Sequence, residues 1–120
     1  MIAKIMKGSS FKGVINYILD PKKGTELIDS LGVRTDGINH IVQSFIDQTE
    51  LNPRVSKVVG HISLSFSVQD SPKLNNEWMA QIAREYMEKM GIKDTQYIIG
   101  RHFDKEHPHV HIAFNRIDNN

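Results

Sequence analysis

Apolar and polar positions alternate with period two along two stretches of this 120-residue chain and recur at helical spacing along three others. From Pro108 to Ile117, Val110, Ile112 and Phe114 fall on one side, and His109, His111, Ala113 and Asn115 on the other. That alternation predicts a β-strand with one buried face. Val58 to Val68 repeats it, with Ile62, Leu64, Phe66 and Val68 opposed to His61, Ser63, Ser65 and Ser67. Helical spacing carries Phe11, Val14, Ile15, Ile18 and Leu19, after an N-cap at Ser9 or Ser10 and before Pro21. A second helix, capped by Asp36, runs through Ile38, Ile41, Val42, Phe45 and Ile46. The longest helix opens at Pro72 and Asn75, ends at Gly91 and carries Trp78, Met79, Ile82, Ala83, Tyr86, Met87 and Met90 on one broad face. That Met-rich stripe reads as packing against a sheet rather than as a partner groove. Met1 to Met6 reads as an edge-like first strand, Thr25 to Leu31 as a second, and Gln96 to Arg101 as a further apolar run.

The order is β-α-β-α-β-α-β-β, and its last two strands form a hairpin through Asp104, Lys105 and Glu106. This predicts an α+β fold: one mainly antiparallel sheet with helices packed on one face and a polar floor on the other. A single strand of DNA could lie along that floor, over Ser63 and Ser65; the plainer reading is a face that merely meets water.

Composition narrows the class without choosing a function. Hydrophobic content of 39% and charged content of 24% are ordinary for one globular domain. No apolar run reaches the 18 or so residues of a membrane helix, and no long apolar segment marks a signal peptide. The absence of cysteine excludes disulfides, thiol catalysis and thiolate ligands, and suits the cytoplasm. A net charge of +1 provides no global case for nucleic-acid binding, so any basic footprint must be local.

Chemistry concentrates in one place. Four of the six histidines, His102, His107, His109 and His111, fall within ten positions. Same-face residues two apart on a strand lie about 7 Å apart, so His109 and His111 can converge on one ion. The hairpin returns His102 beside them, and three imidazoles with open positions form the donor set of a catalytic metal site. Solvated histidines on a polar strand face are the commoner alternative.

His-x-Asp-x-x-x-Pro-His-x-His over 102–111, closed by Asn115, resembles the third motif of conjugative relaxases, the mobilization nucleases of the HUH endonuclease superfamily. The resemblance extends over essentially the whole chain and is strongest to mobilization proteins of plasmids and mobilizable transposons of the Bacteroides group. It implies a palm-like fold related to the ferredoxin arrangement. It also implies that a tyrosine near the N-terminus attacks single-stranded DNA at an origin of transfer, leaving a 5′-phosphotyrosyl link. Tyr17 is the only tyrosine in the first 85 residues, although on an amphipathic helix it also reads as a packing residue.

The remaining assignments follow from that resemblance and from position. His102, His109 and His111 would bind the ion, and Asp104 would orient one of them unless it serves only the turn. Imidazole donors suit Mn, Zn, Ni or Cu, whereas the resemblance implies Mg²⁺ or Mn²⁺. Arg34 is either a phosphate contact or a surface arginine. His61 is a base, a phosphate ligand or a hydrogen-bonded floor residue, and His107 a base or a phosphate contact. Asn115 shares the histidine face and bonds DNA or the floor. Lys22 and Lys23 read as a solvent-facing turn. The 120 residues are expected to be one catalytic domain at the N-terminus of a longer protein, working with accessory mobilization proteins and a coupling protein. A non-cleaving DNA-binding module is the alternative class. A rolling-circle replication initiator or transposase is another, but those usually carry the tyrosine downstream of the histidines.

Overall fold

The histidine strand lies at the centre of a five-stranded sheet in the computed structural model, which describes residues 1–118. The strands are β1 (Ile2–Gly8), β2 (Glu26–Leu31), β3 (Val59–Ser65), β4 (Tyr97–His102) and β5 (His109–Asn115). Their order is β1-β3-β5-β4-β2, and every neighbouring pair is antiparallel. Both strands beside β5 thus come from distant parts of the chain or from its own hairpin, and β1 is an edge as its interrupted pattern predicts. The helices are α1 (Phe11–Ile18), α2 (Ile38–Thr49) and α3 (Asn76–Lys89). Fold class and element order are those expected.

Local chemistry sets most boundaries. Ser10 caps α1 by accepting from the Gly13 N–H at 3.0 Å, and Asn75 caps α3 by accepting from the Trp78 N–H at 2.7 Å. Asp36 does not cap α2 as expected. The cap residue is Gly37, with no side-chain bond, while Asp36 pairs with Arg34 at 2.7 Å and His40 at 3.0 Å. The third strand is shorter than its alternation, because Ser67 caps a 3₁₀ segment starting at Val68.

α3 packs behind the sheet, as the alternation requires, with Met79, Ala83 and Met87 against Ile62, Leu64, Ile99, Val110, Ile112 and Phe114. The expectation of helices on one face needs extending. α1 and α2 cross part of the other face, where Phe11, Ile15, Ile18, Ile41 and Phe45 cover Val59, Ile98 and Ala113. Phe11 stacks on Phe45 with ring centroids 4.7 Å apart, joining the two helices. Each fully buried ring or branched side chain here contributes about 1.5–3 kcal/mol.

This second layer covers only half of the polar face. The end bearing Asn115 and Ala113 lies under helices; the end bearing His109 and His111 stays open beside Tyr17. Gly100 sets how closely α1 approaches. It faces Ile18, and a Cβ there would stand 2.5 Å from Ile18 Cγ2. Only a residue without a side chain lets the end of α1 settle this near the histidines.

Candidate active site

Strand pairing builds the cluster. His102 stands directly opposite His109, and Gly100 opposite His111, so all three imidazoles share one face of two adjacent strands. Their ring centroids are 4.3–5.5 Å apart, and all three rings are buried. One nitrogen from each lies within 4.8 Å of the others.

Hydrogen bonds assign the free nitrogens. His102 Nε2–H donates to the Ile18 carbonyl at 2.8 Å, leaving a lone pair on Nδ1. His109 Nδ1–H donates to the His107 carbonyl at 3.0 Å, leaving Nε2 as the lone-pair atom. That Nε2 lies 3.3 Å from Asp104 Oδ1, so two acceptors face each other. A cation or a shared proton between them satisfies both. His111 Nδ1 lies 2.9 Å from His61 Nε2.

The electrostatics point the same way. Burial pushes His111 down to about 3, helped by its neighbours His102, His61 and His109. Burial also lowers His102 and His61. Neutral imidazoles with lone pairs are the form that binds metal. Burial opposes ionisation of Asp104, but a backbone hydrogen bond and the charges of His109, Lys23 and His102 hold its carboxyl below the usual range. Three buried imidazole donors beside a carboxylate fit a divalent ion.

Tyr17 projects from the last turn of α1 over this cluster. Its ring centroid lies 5.3 Å from His111, 5.7 Å from His102 and 5.8 Å from His61, each edge-on. Tyr17 remains 43% exposed, so a substrate can reach it. The other tyrosines are elsewhere: Tyr97 lies on the α3 face bonded to Asp29, and Tyr86 packs within α3. A groove of about 740 Å³ runs from Tyr17 along the floor of His61, Ser63, Ser65, His109 and His111. Met6, Ile2 and Lys4 of β1 wall one side, with Lys105 and His107 also at its border.

Of the expected site residues, Tyr17, His61, Ser63, Ser65, His102, Asp104, His107, His109 and His111 therefore converge. Arg34 and Asn115 do not. Arg34 follows the end of β2 that pairs with Tyr97, whereas the histidines lie at the Arg101 end. Its guanidinium is held by Asp36 and its backbone N–H by Ser44. Asn115 is 1% exposed beneath α2. Its amide donates to the Phe45 carbonyl and Gln96 Oε1, and its Oδ1 accepts from the Ile117 N–H, all at 3.0 Å. It belongs to the buried floor and has no surface to offer DNA.

Two features went unseen in the sequence. Lys23, read as a solvent-facing turn, sits 5.0 Å from the Tyr17 ring centroid and 3.7 Å from Asp104 Oδ2. Its turn is pinned by the Phe103 N–H donating to its carbonyl at 3.1 Å. β1 supplies the groove wall through Ile2, Lys4 and Met6, a same-parity set whose role appears only once it pairs with β3.

A five-stranded antiparallel sheet thus carries a buried histidine triad, a donor set able to hold a metal ion, beside an accessible tyrosine. Residues 17–120 match the family model described as relaxase, MobA/VirD2-like, nuclease domain. The chain belongs to that relaxase family. It is 31% identical over 64 residues to Protein MobA of Acidithiobacillus ferrooxidans, a match covering 53% of this chain and 15% of that protein. No helix among the described residues is long and apolar enough to cross a membrane.

Proposed function

We propose that this domain nicks single-stranded DNA at an origin of transfer by tyrosine transesterification, as a mobilization nuclease of the HUH type. The observation that carries this reading is the Tyr17 ring resting edge-on against His61, His102 and His111 while open to the groove. His102, His109 and His111 hold a divalent ion, Mg²⁺ or Mn²⁺. When bound, such an ion offsets charge that builds on the scissile phosphate.

The chain's own residues do the rest. Ser63, Ser65 and His107 offer hydrogen-bonding groups to a strand laid in the groove, and Lys4 and Lys105 supply local positive charge. Tyr17 Oη attacks phosphorus, forming the P–O bond of a 5′-phosphotyrosine. The P–O3′ bond breaks, the phenol proton passes to solvent, and the 3′-oxygen leaves as a hydroxyl after taking up a proton. One phosphodiester replaces another, so rejoining needs no nucleotide cofactor. Asp104, paired with Lys23, sets a carboxylate beside the His109 nitrogen that would face the ion. The complete protein acts in the cytoplasm with accessory mobilization proteins and a coupling protein, this chain serving as its N-terminal catalytic domain.

The test uses a pool of randomised single-stranded oligonucleotides incubated with the chain and Mn²⁺, followed by recovery of complexes that survive SDS. An adduct whose peptide mass maps to Tyr17, absent from Tyr17→Phe, supports the reading. An adduct on Tyr86 or Tyr97, or retention of DNA with no adduct, overturns it; the second outcome identifies a binding module.

A further inference from the structure

Each imidazole of the triad has one nitrogen engaged, but the three partners differ in kind. His102 and His109 face backbone carbonyls, which only accept, so their tautomers are dictated. His111 faces His61 Nε2 at 2.9 Å, an atom that can accept or donate. Two arrangements of this neutral pair are possible. If His111 Nδ1–H donates, His111 Nε2 keeps its lone pair and can bind an ion. If His61 Nε2–H donates, the His111 proton sits on Nε2 and the ring cannot bind.

We propose that His61 is a positioning residue that accepts the His111 Nδ1 proton and so fixes His111 as an Nε2 ligand. The inference rests on the metal reading of the triad. The sheet register sets His61 in place, because it lies on β3 opposite Ala113, two residues along from the Ser63–His111 pair, and presents its ring on the same face. Its centroid is 5.1 Å from that of His111, with Tyr17 edge-on above both. With Nε2 committed to His111, His61 is an outer partner rather than a fourth ligand. Such partners are typically worth 10–100-fold in metal affinity.

The test pairs two measurements on the chain and its His61→Leu and His61→Gln variants. Long-range ¹H–¹⁵N spectra of the metal-free chain report which nitrogen of His111 carries the proton, and Mn²⁺ calorimetry reports affinity. Expected are an Nδ1–H tautomer at His111, Mn²⁺ binding about 10–100-fold weaker in His61→Leu, and near-intact binding in His61→Gln, whose Oε1 can accept. Gln also keeps the test valid should the Leu variant not fold. An Nε2–H tautomer at His111, or equal affinity in folded His61→Leu and the intact chain, overturns the role of His61 alone. No Mn²⁺ binding by the intact chain overturns this role and the metal reading together.

Discussion

Gly100→Ala tests whether the approach of α1 to the sheet builds the site. The added Cβ would meet Ile18 Cγ2 at 2.5 Å, the Ile18 carbonyl oxygen at 3.5 Å and Leu19 Cδ2 at 3.7 Å. Carbon atoms rest about 3.5–4.0 Å apart, so the end of α1 must withdraw by roughly 1 Å. Ile18 is β-branched and buried, and its Cγ2 cannot swing aside without leaving a preferred rotamer. The same withdrawal stretches the 2.8 Å bond from His102 Nε2–H to the Ile18 carbonyl beyond hydrogen-bonding range. Overpacking of this kind costs about 1–3 kcal/mol. A buried N–H left without its acceptor costs a further 1–3 kcal/mol or so. The sum, about 2–6 kcal/mol, lowers Tm by on the order of 10 °C in a domain of this size. Mn²⁺ affinity falls as well, by about 10–100-fold, because nothing then dictates the His102 tautomer. Thermal unfolding and calorimetry measure both. Ile18→Ala alone costs about 2–5 kcal/mol as a cavity, but it also removes Cγ2. The double variant should therefore be about 1–3 kcal/mol more stable than the two single costs predict. Strict additivity, or a Gly100→Ala chain as stable as the parent, would refute the idea that this glycine admits α1.

Other outcomes follow from the same geometry. Asn115→Ala leaves the Phe45 carbonyl, Gln96 Oε1 and Ile117 N–H without their partner, so stability should fall by about 2–4 kcal/mol in denaturant titration. DNA affinity of the remaining folded fraction should not change, and a selective loss of DNA binding would restore Asn115 to the interface. Acid should weaken the metal-free fold. His111, His61 and His102 are lowered in the folded state, so the unfolded chain takes up more protons below its ordinary histidine value of about 6.5. The stability they contribute is complete above that pH and lost as pH falls, for His111 down to about 3. Each ring that stays neutral while its unfolded counterpart charges costs about 1.4 kcal/mol per pH unit. Unfolding free energies that stay flat between pH 7 and 5 in EDTA would contradict this.

Period-two and helical spacing act between residues near in the chain, and these the sequence determined by itself. The strand His109–Asn115, the shared parity of His109 and His111, the caps Ser10 and Asn75, and the α3 stripe were all legible there. The tertiary structure decided what lies over the polar face. Asn115 and His111 have the same parity on one strand, yet α2 buries the first while the second opens on the groove. Ala113 between them, paired with Ile98 and covered by α1 and α2, was the only local sign that half of this face is core. Arg34 and Lys23 show the same limit. Both sit in connections between the main elements, and only the pairing of β2 with β4 sends one to the far end of the sheet and sets the other beside Tyr17. Alternation reports which face a side chain takes. Which helix covers that face is decided by contacts between distant residues, such as Gly100 with Ile18, that no local period encodes.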